Sequence, residues 1–369
     1  MANGTGGDDL RQLNLNLKPN EASGLLTLEN DALLETHGWE LALWAVLDEG
    51  RVEDCVALIG HERGAPIGEG WRIERLNARL KSDPGKTEDA ESVARHDGRV
   101  YVFGSHFGSK DGPLQPKRSF VARFKEDDVE HVTGEPAVEM EVSRKSFEIH
   151  RIINDAFKAG GPELVPLGRR SNEAFIGKTI ERGEDKGKRW AGLVREGDYP
   201  INVEGAAFRA DGTLLLGLRF PVSAEGLPIL VGLEGLERLF GAGDGLPSVS
   251  GFWVVDAVGR GGTMAGVRDL ALSGSGGGEE LHLVTGNIDS RDKGSVLLQD
   301  YRGGEETVAT HFRCALPGGD PGSLAAEFVR EFPALPRVEG IAITDDERFF
   351  YVTDEDEGVH LRLTHLIKD

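Results

Sequence analysis

The sequence predicts an all-β fold, a β-propeller with five recognisable four-stranded blades, or six if residues 143–200 form a degenerate blade. Three observations lead there. First, one phrase recurs: a strand that opens on a carboxylate, a tight turn, and a second apolar strand. Its clearest copy is residues 201–208, the turn Asp211-Gly212 and residues 213–219; others are 90–94 with Asp97-Gly98 and 100–104, and 338–343 with Asp345-Asp346 and 349–353. A weaker copy joins 268–272 to 281–285. Second, the chain has 51 glycines with 39% hydrophobic residues, which suits short strands joined by turns better than a helical bundle. Third, unit starts near Ser23, Glu91, Glu204, Asp269 and Glu339 lie about 65 to 70 residues apart, except in one longer interval. Immunoglobulin-type arrays have units nearer 100 residues and show linkers between them.

Taken in order, residues 1–12 read as a disordered N-terminus and 13–369 as a single domain. Residues 13–17 alternate apolar and polar with period two, as a half-buried strand does, and Pro19 stops it. Residues 24–28, 41–47, 55–59 and 71–76 supply the strands of a first unit. The second begins at Glu91, continues through 100–104 and returns at 120–124. Residues 143–200 break the rhythm: 147–157 has helical spacing, ended by Gly160-Gly161-Pro162, and 173–195 is mixed and highly charged. This region is an inserted helical excursion or a degenerate blade. The third unit uses 203–208, 214–218, 229–233 and 252–255; the fourth 269–272, 281–285, 296–298 and 310–313. The fifth has 339–343, 349–353 and 359–363, one strand too few. The solitary strand at 13–17 has no unit of its own, so pairing it with the last unit closes the ring and hides exposed sheet edges.

Bulk charge excludes several functions. Lysine plus arginine number 42 and aspartate plus glutamate 63, a net charge of −21. Such a chain repels phosphate backbones and anionic lipid, so neither nucleic acid nor a membrane surface is an expected partner. The two cysteines, Cys55 and Cys314, have no metal-ligand spacing and read as semi-buried thiols. No basic leader with an apolar stretch opens the chain and no run of about 18 apolar residues follows, which points to a cytoplasmic protein, with a removed export signal as the alternative.

In a propeller the first strand of each blade lines the channel, so Glu91, Glu204, Asp269 and Glu339 are expected to form a ring around the axis. Two carboxylates about 6 Å apart at an effective dielectric of about 20 repel by roughly 3 kcal/mol. The ring must therefore hold a cation, pair with arginines, accept backbone N–H groups or take up protons. All-oxygen donors, to which Asn202 and Asn287 could add, suit calcium better than zinc. The alternative is that backbone amides of the next blade and Arg219, Arg268 or Arg337 balance the charge. The second strands end on polar residues, Asp48-Glu49, Ser105-His106, Arg219, Asn287 and Asp354-Glu355, expected on one rim of the channel. His106 is the rim group that titrates near neutrality and is the sequence's candidate acid–base residue.

The set Asp89-Ala90-Glu91-Ser92-Val93-Ala94 with Gly104-Ser105-His106, and Asn202-Val203-Glu204-Gly205 with 216–221, resembles the bacterial family called domain of unknown function 3616. Glu339-Gly340-Ile341-Ala342 is similar to a motif of esterase-like phytase propellers. Ser92 stands where the family has glycine, and Asp269 where glutamate recurs elsewhere. The first resemblance implies a β-propeller without an established activity; the second implies a calcium-bearing propeller acting on esters or phosphate esters. The resulting expectation is a soluble calcium-dependent hydrolase of an ester, lactone or phosphate ester. Glu204, Glu339, Glu91 and Asp269 would hold the ion, Arg219 would bind a small anionic or ester substrate, and His106 would move the proton. The alternative is a propeller that binds a ligand or protein without catalysis.

Overall fold

Five sheets follow one another along the chain, each begun by a strand that packs against the neighbouring sheets on both sides. The computed structural model describes residues 10–17, 21–132, 135–241, 245–274, 278–290, 294–316, 321–335, 337–353 and 359–365. The first sheet runs Ala22–Thr27, Trp39–Leu47, Val56–Glu62, Trp71–Arg75. The second runs Ala90–His96, Arg99–Gly104, Val121–Lys125, Glu135–Ser143, with Glu130–Val132 and a parallel Asn77–Leu80 added outside. The third runs Asn202–Phe208, Leu214–Phe220, Ile229–Glu234, Ser248–Asp256, extended by a parallel Ser323–Ala325. The fourth runs Gly266–Ser273, Glu279–Gly286, Thr310–Leu316, Glu327–Glu331. In the fifth, Val338–Ile343, Arg348–Thr353 and Val359–His365 are completed by Arg11–Leu15, which pairs antiparallel with Val359–His365. The orphan strand near the N-terminus therefore fills the place that the last unit lacks.

The first strands of the five sheets touch in the order first, second, third, fourth, fifth and back to first. Apolar clusters fill the five gaps between sheets. Trp44, Val93, Val102 and Phe124 lie between the first and second, and Leu216, Leu218, Tyr101 and Phe103 between the second and third. Leu215, Trp253, Leu270 and Leu283 follow, then Val284, Ile341 and Tyr351, then Leu43, Ile59, Phe350 and Leu361. Full burial of each such side chain is worth about 1.5–3 kcal/mol, so the inter-sheet gaps hold the molecule together. Tryptophan burial needs a partner for its N–H, and Trp44 Nε1 donates to Glu126 Oε1 at 2.6 Å.

Residues 144–201 form helices rather than a sheet. Helix Glu148–Gly160 packs Ile149 and Ile153 against the second and third sheets, and a segment from Arg169 to Asp185 is continuously helical with a π-turn at Asn172–Gly177. Two further helices depart from the sequence reading. Asp31–His37 fills the first sheet's first connection, capped by Asn30, whose Oδ1 accepts the Leu33 N–H at 2.9 Å. Residues 296–298, read as a strand, belong to helix Val296–Asp300, because Ser295 Oγ accepts the Leu298 N–H and starts a helical turn. Among the described residues no helix is long and apolar enough to cross a membrane.

One irregularity repeats in every first strand. The pairing with the second strand slips by one residue at Ser23, Glu91, Glu204, Arg268 and Glu339. A β-bulge leaves the extra residue outside the ladder and re-aims its side chain. In the fourth sheet the residue at this level is Arg268, one position before the Asp269 that composition alone had matched to the glutamates. The next residues in register, Gly24, Ser92, Gly205, Asp269 and Gly340, face the axis. A Cβ on Gly24 would lie 3.2 Å from the Glu91 carbonyl oxygen, and one on Gly340 would lie 3.3 Å from Gly24 Cα. Small residues there make room for one long one. Asp269 Oδ2 accepts the Ile341 N–H at 2.8 Å and reaches the Leu25 N–H at 3.5 Å, tying three sheets together.

Candidate functional site

The bulged residues open into a cavity of about 1200 Å³ at one end of the axis. Glu91, Glu204, Arg268 and Glu339 line it, with Asp48, Asp89, Arg118, Asn202, Arg219 and Asn287 around them. Eight acidic and five basic side chains contribute to its wall.

Most of that charge is matched locally. Arg268, on the fourth first strand, reaches Glu204 of the third (Nε to Oε2, 3.2 Å) and ion-pairs with Glu339 of the fifth. Arg219 ion-pairs with the other oxygen of Glu204, and its Nε donates to the Asn287 carbonyl at 3.0 Å. Asp89 is held by one oxygen: Oδ2 accepts from Ser105 Oγ and from Arg118 Nη1, the latter at 2.8 Å. Its backbone has a φ of 68°, a left-handed conformation that a non-glycine residue adopts at a cost and that clusters at functional sites.

Glu91 differs from the other acids. It is half-buried, and no arginine or lysine ion-pairs with it among the described residues. Burial, then the negative charges of Asp89, Glu204 and Asp48, push its carboxyl well above the usual glutamate range; Arg219 only partly offsets them. Burial also raises Asp89, but there the Arg118 guanidinium and the Ser105 hydroxyl favour the ionised form. Both carboxyls are therefore raised, Glu91 the further, because only Asp89 has a guanidinium and a hydroxyl against it.

The rim residues of the sequence reading divide. Asp48, Arg219 and Asn287 line the cavity. Glu49 and Ser105 do not, though Ser105 acts through Asp89. Asp354 and Glu355 lie outside the described residues. His106 stands outside the cavity wall and is buried. Its Nδ1 is 3.0 Å from Ser119 Oγ, which accepts the Phe147 N–H at 2.9 Å. Nδ1 and the Ser119 hydroxyl share a hydrogen bond whose direction follows the ring's tautomer, and Nε2 is buried without a hydrogen-bond partner among the described residues. Burial, with the nearby His150, pushes the His106 pKa down to about 3.

Asp89 and Arg118 were not singled out as site residues from the sequence alone, and Arg268 was named only as one of three arginines that could balance the ring. For Arg268 the signal was present as the repeated dipeptide at the bulge: Ser23-Gly24, Glu91-Ser92, Glu204-Gly205, Arg268-Asp269, Glu339-Gly340.

These donors fit calcium poorly. Glu204 and Glu339 already face guanidinium groups, and Asp269 spends Oδ2 on backbone amides below the cavity. Among the described residues no group of three or more His, Cys, Asp or Glu side chains is placed to hold a metal ion.

Asn202 has a distinct geometry. It is 5% exposed, and its Nδ2 donates to Glu204 Oε1 at 3.4 Å, which orients the amide. Its Oδ1 is left buried without a hydrogen-bond partner, as is Oδ1 of Asn287. An unmet buried acceptor costs about 1–3 kcal/mol, so both amides carry a cost in the folded protein.

No protein-family model matches the chain, and no curated protein matches it. Among solved structures, the chain is similar to Bacillus subtilis levansucrase, with a TM-score of 0.42 and 10% identity over 96% of this chain and 86% of that one. It is also similar to a thermostable family-43 glycoside hydrolase (TM-score 0.41, 10% identity, 95% and 91% covered). A third is the mannose phosphorylase MPT-4 of Leishmania mexicana (TM-score 0.38, 12% identity, 96% and 87% covered). Likenesses this distant say nothing about chemistry, which has to come from the cavity itself.

Proposed function

We propose that the five sheets are the blades of a five-bladed β-propeller and that the cavity hydrolyses an ester or lactone by carboxyl acid–base catalysis. The observation that carries the reading is the pairing of Glu91 with Asp89. No guanidinium ion-pairs with Glu91, and burial with the neighbouring acids favours its protonated form; Asp89 is anchored through Oδ2 by Arg118 and Ser105, leaving Oδ1 to accept a proton. Asp89 would take a proton from water as its oxygen adds to the carbonyl carbon. Glu91 would give its proton to the alkoxide that leaves when the acyl C–O bond breaks. Products are a carboxylic acid and an alcohol, and the proton passed to Asp89 returns the pair to its starting state through solvent.

Charge favours one of the substrates that the sequence left open. Eight acids against five bases leave the wall net negative, so a phosphate monoester would enter against its own charge, whereas an uncharged ester or lactone would not. Arg219 and Arg268 would polarise the carbonyl and meet the developing oxyanion, while Glu204 and Glu339 keep both guanidinium groups in place. No step here uses a calcium ion; the arginines supply the positive charge that the acidic ring requires.

A screen of uncharged nitrophenyl esters and lactones tests this directly. Hydrolysis above the buffer rate is expected, and Glu91→Gln should lower kcat by about 10²–10⁴-fold, the usual contribution of a general acid. Turnover unchanged in Glu91→Gln and Asp89→Asn, or no turnover of any member, would overturn it and leave a propeller that binds without catalysis.

A further inference from the structure

We infer that the helical insertion at residues 144–201 is part of the working site: through Thr179 and Phe175 it seats the loop that holds both partners of Asp89. Thr179 and Phe175 are then positioning residues for the proposed base; this rests on the hydrolytic reading above and extends it.

Both groups that hold Asp89 Oδ2 are themselves held by one loop. Ser105 Oγ accepts the Phe107 N–H at 3.2 Å, which leaves its own proton for the Asp89 carboxylate. Arg118 Nη1, 2.8 Å from Oδ2, also donates to the Gly108 carbonyl at 3.2 Å. Phe107 and Gly108 are neighbours in the chain and line the cavity. A shift of this dipeptide would therefore move the hydroxyl and the guanidinium together.

The loop in turn rests on the insertion. Gly108 bridges to Leu114, and the Leu114 N–H donates to Thr179 Oγ1 at 2.9 Å. The Thr179 hydroxyl gives its proton to the Phe175 carbonyl, which fixes Oγ1 as the acceptor for Leu114. Phe175 lays its ring against Phe107, with centroids 4.6 Å apart. Gly112 has a φ of 68°, and a Cβ there would come within 2.0 Å of the Ala174 carbonyl oxygen, so the segment 174–179 lies directly against the loop. Thr179 and Phe175 are fully buried and neither lines the cavity, so any effect they have on chemistry passes through the loop. Packing against the sheets is supplied elsewhere in the insertion, by Ile149 and Ile153. Catalytic groups keep a productive geometry only when the residues behind them are locked by packing and hydrogen bonds, and a displacement of about 1 Å can cost about 10²-fold in rate.

Thr179→Val keeps the shape and removes the acceptor, and Thr179→Ser restores it. The charges around Asp89 come from Arg118, Glu88, Glu91 and Glu204, and neither substitution alters one of them. On an uncharged nitrophenyl ester, Thr179→Val should lower kcat by about 10–100-fold with KM within about twofold. Looser anchors favour the ionised Asp89 less, so the acidic limb of the rate profile should move to higher pH. Thr179→Ser should return both to wild type. Phe175→Leu, which keeps an apolar side chain and removes the ring, should act in the same direction and serves if Thr179→Val melts early. Unchanged kcat and an unmoved limb in both variants overturn the inference and leave the hydrolytic reading standing. A fall in kcat without movement of the limb overturns it too, since that marks a structural role only. Carbon-13 titration of the Asp89 carboxyl, assigned through Asp89→Asn, needs no turnover and separates the two readings. If no ester is hydrolysed, an Asp89 titration that shifts upward in Thr179→Val keeps the link from insertion to carboxyl and removes the hydrolysis. An unshifted one removes both.

Discussion

Arg268 of the fourth sheet ion-pairs with Glu339 of the fifth, and its Nε lies 3.2 Å from a Glu204 oxygen on the third. One guanidinium thus bridges the two acids that flank it around the axis, at the only one of five equivalent bulges that carries a cation. Removing one member of a buried pair leaves the other charge uncompensated. Arg268→Met should cost about 3–5 kcal/mol in urea unfolding, and adding Glu339→Gln should restore part of it. A loss below about 1 kcal/mol would mean that the acids are balanced by something else.

Glu91 is buried against its charge, and stability should show it. Its folded pKa is raised, so between the usual glutamate range and that raised value the folded state binds more protons than the unfolded one, and stability falls as pH rises. Glu91→Gln removes the penalty. The variant should melt higher than wild type at pH 8 and alike at pH 4, while losing turnover at both. A variant less stable at pH 8 would show that Glu91 has a cationic partner after all.

Acid should loosen the seam between the fourth and fifth sheets. His282 Nδ1 lies 3.0 Å from His311 Nε2, and His311 Nδ1 lies 2.8 Å from the Tyr351 hydroxyl. Burial depresses His282 to about 4, against a partial offset from Glu280, and holds His311 well below its ordinary value. Groups whose folded pKa is depressed bind protons first in the unfolded chain. Stability is therefore full above about pH 6.5 and is lost as pH falls toward 4, on the order of 3 kcal/mol for His282 alone. A urea series across that window measures it, and His282→Gln with His311→Gln should flatten the slope.

Metal removal separates the arginine-balanced ring from a calcium ring. Dialysis against EDTA should leave the melting temperature within about a degree, and calcium should not raise it, since a ligand that binds only the folded state stabilises it by mass action. A rise of several degrees with calcium would place an ion among the acids.

Much of the architecture was legible because it is repeated. Five copies of one strand phrase, the unpaired alternating stretch at residues 13–17 and the missing last strand together anticipated the pairing of Arg11–Leu15 with Val359–His365. Periodicity failed where a local cap outweighed apolar content, as at Ser295 before Val296–Asp300. Outer strands such as Glu135–Ser143 and Glu327–Glu331 mix charged and apolar residues without a distinctive pattern, and in the second Phe328 is exposed. Glu91, Glu204 and Glu339 of the expected ring line one cavity, and in the fourth sheet the equivalent position is one residue away from the one expected. Matching by residue type chose Asp269, but the bulge counts positions, and the level belongs to Arg268. His106 drew attention for its ordinary pKa, which burial removes; sequence carries no measure of that burial.

The most direct measurement is a carbon-13 titration of glutamate-labelled protein, with the Glu91 carboxyl resonance assigned by its disappearance in Glu91→Gln. The account predicts that this carboxyl ionises well above every exposed glutamate and that the rate of ester hydrolysis falls across the same pH interval. Ionisation at or below the ordinary glutamate range would contradict it.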